Sequence, residues 1–298
     1  MLNATWLETF TTLCEVGHFT RAAERLNMTQ PGVSQHLRKL EQQIGQPLIS
    51  RQGKSFTLTP AGEELFALGL SRRAEERRLR DAIEVDDRDA GSVQIACSGS
   101  FAMLLYPKLL PWMHAAPRLA LHLEAAPQAK ILAGLIEGRF DLGVLGADPG
   151  HARLDARLLG REELCLVLPA GAADAPVTFA ELEARGFIAH PDGYGYADDL
   201  LRINFPEDYP GADRIRIRGT VNQIGQIPAP VAQGIGYTLL PRSGVEAFAG
   251  KADLSVARLA HRRWHELWLV TRRGRALSAR LRHAADLIAG ATRQLGQG

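Results

Sequence analysis

The chain has 298 residues, 46% of them hydrophobic and 23% charged, with a net charge of +2. That length is more than one core usually organises, so two or three domains are expected. No apolar run reaches membrane length, the first residues lack the pattern of a secretory signal, and Cys14, Cys97 and Cys165 show no metal or CxxC spacing, so a cytoplasmic, reduced chain with no membrane partner is expected.

Helical spacing begins at once, with Trp6, Leu7, Phe10, Leu13 and Cys14 on one face. Ala22, Ala23 and Leu26 form the small, apolar side of a second helix, which Asn27 and Met28 interrupt. Thr29 then caps a third, with Pro31 in its first turn, where a missing N–H costs nothing. At about 100° per residue, Val33, Leu37, Leu40 and Ile44 fall in one narrow stripe. The opposite side carries Pro31, Ser34, Gln35, Arg38, Lys39 and Gln42 without a carboxylate. Such side chains read base edges and neutralise phosphate. A short basic hairpin follows, its turn at Gly53 and Arg51 and Lys54 at its tip. Three helices and a basic wing make a winged helix-turn-helix, and the candidate contacts to double-stranded DNA are Thr20, Gln30, Pro31, Ser34, Gln35, Arg38, Lys39, Arg51 and Lys54.

Residues 1–58 hold six Lys/Arg against four Glu. One such head binds weakly, so affinity is expected to come from pairing heads. Thr59 and Pro60 open a helix expected to run to about residue 85, apolar in its first half at Leu65, Phe66, Leu68 and Leu70. Leu65 and Leu68 are the candidate dimerisation residues, on an apolar face that the small head is expected to leave uncovered. The DDRDAG stretch at 86–91 is the expected hinge, so that residues 59–90 form a linker.

From residue 91 strands and helices alternate. Strands are expected at 93–97, 119–123 and 141–145, with helices after Ser98-Gly99-Ser100 and over 128–137. A second set follows: strand 164–168, a helix opened by a Thr178…Glu181 capping box, strand 187–189, helix 196–203, and strands 214–218 and 235–240. Gly225, Pro228 and Pro230 predict a short or kinked helix before Gln233. Strand 266–271 and an amphipathic helix over 278–295 return the chain to the first set. The expected fold of 91–298 is α/β with a largely parallel sheet, in two lobes (about 91–162 with 267–298, and about 163–266) that flank a cleft.

The string FTRAAERLNMTQPGVSQHLRKLE at 19–41, the wing, and LTPAG at 58–62 resemble the DNA-binding domain of the LysR-type transcriptional regulators. Looser similarity through 107–117, GRFDLGV at 138–144 and QGIGYTLLP at 233–241 extends the resemblance over nearly the whole chain. It implies a periplasmic-binding-protein-like effector domain, antiparallel pairing of the linker helix, a homodimer or homotetramer, and operator binding modulated by a small molecule. RNA polymerase is a further candidate partner.

Ligands of open α/β sheets bind beyond strand carboxyl ends, where helix N-termini offer free N–H groups. Ser98, Gly99 and Ser100, with Phe101 beside them, occupy that position, and the family's effector contacts match here. Thr220 and Asn222 face them from the other lobe, with His190 and Gln128 as further candidates. An anionic or amino-acid-like effector is expected, and Asp192 is placed to hold an amine. There is no Gly-rich nucleotide loop, GxSxG or metal-ligand spacing, so no catalytic residue, cofactor or metal is expected. The alternatives are a small-solute receptor or carrier of the same two-lobed fold, and a ligand-independent architectural DNA binder.

Overall fold

A computed structural model of the chain describes residues 2–52, 55–83, 86–173, 175–274 and 276–296. It divides into two compact units, the first built on residues 1–85 and the second on the chain from Asp86 onward. In the first unit, side-chain caps open each of the early helices. Asn3 accepts from the Trp6 N–H at the head of α1 (Ala4–Val16), His18 from the Thr20 N–H at α2 (Phe19–Arg25), and Thr29 from the Gly32 N–H at α3 (Gln30–Ile44). Asn27, at φ 51°, takes the left-handed turn between α2 and α3. Leu7, Phe10, Leu13, Ala22, Ala23, Val33, Leu37 and Leu40 close one core. The wing is an antiparallel hairpin, β1 (Ile49–Gln52) and β2 (Ser55–Leu58), with Ile49 opposite Leu58. Phe56 stacks edge-on against Phe19 at 5.7 Å, which fastens the wing to the core.

Thr59 caps α4 (Pro60–Ile83) through the Gly62 N–H at 3.1 Å. Two glycines let this helix approach the head. A methyl at Gly62 would lie 2.0 Å from the Leu48 carbonyl oxygen, and one at Gly69 would lie 1.9 Å from Thr11 Oγ1. Further along, Arg73 donates to Glu8 at 2.7 Å, to Glu15 at 2.9 Å and to Thr12 at 2.5 Å, tying α4 to α1. The head therefore covers part of the face expected to be free. Leu65 is only 6% exposed and belongs to the head core, whereas Leu68, at 40%, faces outward. Of the two leucines chosen for dimerisation, Leu65 has an intramolecular role.

The second unit opens with β3 (Ala90–Cys97), α5 (Gly99–Ala115), β4 (Arg118–Ala125), α6 (Gln128–Glu137) and β5 (Leu142–Leu145). A long β6 (Leu154–Pro169) leads to α7 (Phe179–Arg185), β7 (Phe187–Ala189), α8 (Gly193–Asn204) and β8 (Ile217–Thr220). A single 3-10 turn (Ile224–Gln226) and the five-residue α9 (Pro228–Ala232) follow, as the glycine and prolines there required. The chain ends with β9 (Thr238–Pro241), α10 (Arg242–Ala247), β10 (Leu254–Val256), β11 (Arg263–Arg272) and α11 (Ala279–Leu295). The Thr178–Glu181 capping box is formed at α7.

Seven strands form one sheet in the order β10-β6-β11-β5-β3-β4, with β9 also on β6, while β7 and β8 pair separately. The sheet is mixed rather than largely parallel. Only β3, β4 and β5 run parallel, and β6, β9, β10 and β11 join it antiparallel. The second correction is the length of β6, which starts ten residues before the expected strand. Its first half alternates charged and apolar residues and is half exposed, so no apolar run marks it; the ladder to β11 holds it instead. The strand expected at 214–218 pairs only from Ile217, where register with β7 begins. The one expected at 235–240 starts at Thr238, because Gly234 and Gly236 hold left-handed φ values of 79° and 71°. Two lobes result. One is packed around Val93, Ile95, Leu105, Leu142 and Ile288, the other around Leu164, Leu166, Phe187, Leu200 and Leu239.

Gly69→Ala is expected to destabilise the chain by ~1–3 kcal/mol through overpacking against Thr11, although alanine is favoured by about 1 kcal/mol in a free helix. Urea unfolding of Gly69→Ala, Thr11→Ala and the double variant measures this. The double variant should lose less than the two single losses together; strict additivity would show that the contact imposes no strain.

Candidate functional site

The face of α3 that turns away from the core is exposed at Gln30, Pro31, Gln35, Arg38, Lys39 and Gln42, and half-buried at Ser34. His36 faces back and bonds Thr9 at 2.9 Å. Gln30 Nε2 donates to Ser34 Oγ at 3.0 Å, one turn on, which orders two hydrogen-bonding groups side by side. Arg38 has no ion-pair or hydrogen-bond partner among the described residues, so its charge is available to an outside anion. Lys39 differs: its ammonium lies 5.5 Å from the centroid of the Trp6 ring, against α1. Thr20 is exposed at the start of α2. Lys54, the side chain of Arg51 and the turn at Gly53 lie outside the described residues.

The second unit holds a cleft of about 350 Å³ between its lobes, and five of the expected residues line it: Ser98, Gly99, Ser100, Gln128 and His190, with Asn222 from the 220s loop as a sixth. Each is placed by a local rule. Ser98 follows β3 and caps α5, accepting from the Phe101 N–H at 3.4 Å. Ser100 is mostly buried, and a methyl on Gly244 of α10 would come within 3.0 Å of its Oγ. Gln128 opens α6 and accepts the Gly146 N–H at 3.0 Å.

His190 follows β7 and is only 3% exposed. Its Nε2–H donates to the Leu239 carbonyl at 2.8 Å, leaving Nδ1 as an acceptor, and burial lowers its pKa so that the ring is neutral near pH 7. Tyr196 packs edge-on to it at 5.7 Å and continues to His265 at 5.6 Å.

Two expectations fail here. Phe101 is fully buried in the core of the first lobe, because the helical turn that sets Ser98 and Ser100 against the cleft points position 101 inward. Thr220 is the exposed last residue of β8 and does not line the cleft. Tyr196, Ile224, Ile227 and Leu240 do line it and were not foreseen; their apolar character reads as core in a sequence. No Lys or Arg is among the lining residues, and Asp192 is the one carboxylate, exposed and without a side-chain bond to its own helix. Behind the cleft, Glu162 is 3% exposed, its pKa raised by burial, and it accepts the Ser243 N–H at 2.9 Å. Beside it, Arg242 pairs with Glu163 at 2.6 Å. Together these bonds dock α10 on β6, behind Ser100.

All three thiols are set back. Burial pushes Cys14, Cys97 and Cys165 each up to about 12, with Glu15 adding to the effect at Cys14. Among the described residues there is no group of three or more His, Cys, Asp or Glu suited to a metal ion, and no helix long and apolar enough to cross a membrane.

Residues 4–63 match the model of a bacterial regulatory helix-turn-helix protein of the lysR family, and residues 86–293 match the LysR substrate binding domain. The HTH-type transcriptional regulator YnfL of Escherichia coli K12 is 30% identical over 80% of this chain and 81% of its own length. Full-length OxyR C199D from Pseudomonas aeruginosa has the same fold at a TM-score of 0.67 and 22% identity, covering 99% of this chain and 96% of its own. Full-length LysG from Corynebacterium glutamicum, solved with its effector Arg bound, matches at a TM-score of 0.56 and 18% identity over 98% of both chains.

The burial of the thiols has a direct consequence. At pH 8 the native chain should react with a thiol reagent at least about a hundredfold more slowly than free cysteine, whose pKa is about 8.5, because only the thiolate reacts. Denatured protein should titrate all three thiols. Rapid labelling of a native thiol, followed by mass spectrometry, would contradict the burial.

Proposed function

The chain belongs to the LysR family of bacterial transcriptional regulators, and we propose that it reads its operator with the exposed face of α3 and senses an amino-acid-like effector in the cleft of its second unit. It joins a DNA-binding helix-turn-helix to an effector-binding domain. Within that frame, Gln30, Ser34 and Gln35 read base edges, and Arg38 holds phosphate. Arg38→Ala should leave the fold intact and weaken all DNA binding. Gln35→Ala should instead lower the preference for operator over scrambled DNA, by ~1–3 kcal/mol for a lost bidentate contact. Fluorescence anisotropy on both duplexes separates the two effects; an unchanged ratio for Gln35→Ala would remove it from base reading.

The observation that carries the effector reading is the placement of the polar groups in the cleft. Ser98 and Ser100 stand at the N-terminus of α5, where hydroxyls and free N–H groups attract a carboxylate, and Asp192 supplies the single opposite charge for an amine. A neutral His190, Gln128 and Asn222 add hydrogen bonds without a net charge. The LysG structure with Arg bound supports the reading that this fold accommodates an amino acid. A thiol-based response to peroxide, considered because a hydrogen peroxide-inducible genes activator of Dickeya chrysanthemi is 28% identical over 82% of this chain, would need a reactive thiol, and Cys165, the one cysteine of the second lobe, is buried with its pKa pushed up to about 12. The protein acts in the cytoplasm without catalysis, in two or four copies paired through exposed positions of α4 such as Leu68, with RNA polymerase as a further partner.

Calorimetry and thermal shift against the proteinogenic amino acids and short dicarboxylates test the effector class. A binder should lose most of its affinity in Asp192→Asn if it carries an amine. Ser100→Ala should lose the effector response while its operator affinity is unchanged, since the head is untouched. A wild-type response in Ser100→Ala would move the site elsewhere.

A further inference from the structure

Gly99 is the first residue of α5 and has no left-handed φ, so its backbone does not call for glycine. Its neighbour does. A methyl at position 99 would lie 1.7 Å from Ile224 Cδ1 and 3.1 Å from Cγ1, so the isoleucine end occupies the space that any other side chain at 99 would take. Ile224 comes from the 3-10 turn after β8, in the opposite lobe, and the turn is pressed close enough to α5 that a methyl on Gly225 would meet the Met103 side chain at 3.6 Å.

On the far side of this contact lies a second, wider volume of about 1020 Å³, walled by Met103, Tyr106, Leu121 and Leu123 together with polar groups of β4. Gly99, Ala125, Asn222 and Ile224 line both volumes. The two spaces are therefore compartments of one cleft, an inner one at Ser98 and Ser100 and a wider outer one, each lined by both polar and apolar groups.

We propose that Ile224, seated on Gly99, is the end wall of the effector site and sets the length of effector that the regulator accepts. The inference rests on the reading of the inner compartment as the effector site. A ligand whose polar head is held at Ser98 and Ser100 fits while its chain stays inside the inner compartment. A longer unbranched chain has to displace Ile224 to reach the outer compartment, where Met103, Leu121 and Leu123 offer apolar contacts, and that displacement breaks a contact between the lobes. Short amino acids are therefore favoured over homologues that carry an extended aliphatic tail, and Ile224 is a specificity-determining residue.

The wall can be measured without knowing the effector. A cysteine is placed in the inner compartment as Ser98→Cys, or as Gln128→Cys should the lost cap at 98 disturb folding. Each is treated with n-alkyl methanethiosulfonates from methyl to hexyl in the full-length chain, and modification rates are read by mass spectrometry against the wild-type chain, in which Cys97 and Cys165 are buried and Cys14 is half-buried. With Ile224 in place the rate should fall by about tenfold or more beyond a threshold chain length, as overpacking sets in. Adding Ile224→Ala should move that threshold to longer chains. The same rate profile with and without Ile224, at both tether positions, overturns the proposal. If Ser100→Ala keeps a full effector response, the effector role of the wall falls with the site it rests on, and that result is read independently of the tether profile.

Discussion

The antiparallel ladder between β6 and β11 is the part of the second unit on which its other features depend. It runs from Leu164 opposite Arg263 to Leu154 opposite Arg272, so each strand begins in one lobe and ends in the other. The parallel strands that carry α5 and α6 attach to one end of it through β5, and β9 and β10 attach to the other. A break in register occurs at Leu267/Trp268, opposite the segment that holds Gly160 at φ 156°. Bulges of this kind bend and twist a strand locally. The two lobes are therefore joined by a two-stranded ladder with an irregularity midway, and the loops after β3, β4 and β7 meet at the cleft. The packing of α10 on β6 through Glu162 and Ser243 extends the same support to Ser100.

In the first unit the equivalent constraint is the approach of α4 to the head. Gly62 and Gly69 remove side chains where Leu48 and Thr11 come close, and Arg73 converges with Glu8, Glu15 and Thr12 at the next turns. A half-exposed ion-pair cluster contributes little energy by itself, about 0–1 kcal/mol per pair. Its value here is directional, because three acceptors on α1 fix the rotation of α4 about its axis. That rotation buries Leu65 and leaves Leu68 outward, which decides which residues any second copy can meet.

Much of this was legible in the residues. The Thr29 and Thr59 caps, the stripe of Val33, Leu37 and Leu40, the capping box at Thr178 and the broken helix at Pro228 each follow from one local rule, and each local rule survived packing. Ser98, Ser100, Gln128 and His190 were found because strand ends and helix starts are marked by residue type. What was not legible depends on partners distant in sequence. The first half of β6 carries Asp155, Arg157 and Arg161, and its strand character comes from β11, more than a hundred residues later. Leu65 could be assigned to the head only once the Gly69–Thr11 approach was known. Phe101 illustrates a finer failure: a motif locates a helix start, but the helical turn decides which of its residues face the ligand. Ile224 carried no signal at all, since an isoleucine beside a glycine has no periodicity to mark it.

The chemistry of the cleft constrains how a ligand can act. With no cation among the lining residues and a neutral His190, the groups the cleft offers a ligand are hydroxyls, amides, helix N–H groups and the Asp192 carboxylate, with roughly 0.3–1 kcal/mol from each helix-end or hydrogen-bond contact. A ligand shifts a conformational equilibrium only by the difference in its affinity for the two states. Groups on one lobe alone give no such difference, because they bind equally whether the cleft is wide or narrow. The difference has to come from contacts that need both lobes at once. Ser98 and Gln128 belong to the first lobe, and His190, Asp192 and Asn222 to the second, so a molecule that bridges them is bound best at one separation. Ile224 on Gly99 is itself a contact between the lobes, and it favours the separation at which that contact is made. Under the proposal that Ile224 ends the effector site, effector and isoleucine act on the same coordinate: a ligand that fits beside the wall adds to its bias, and one too long for the inner compartment opposes it.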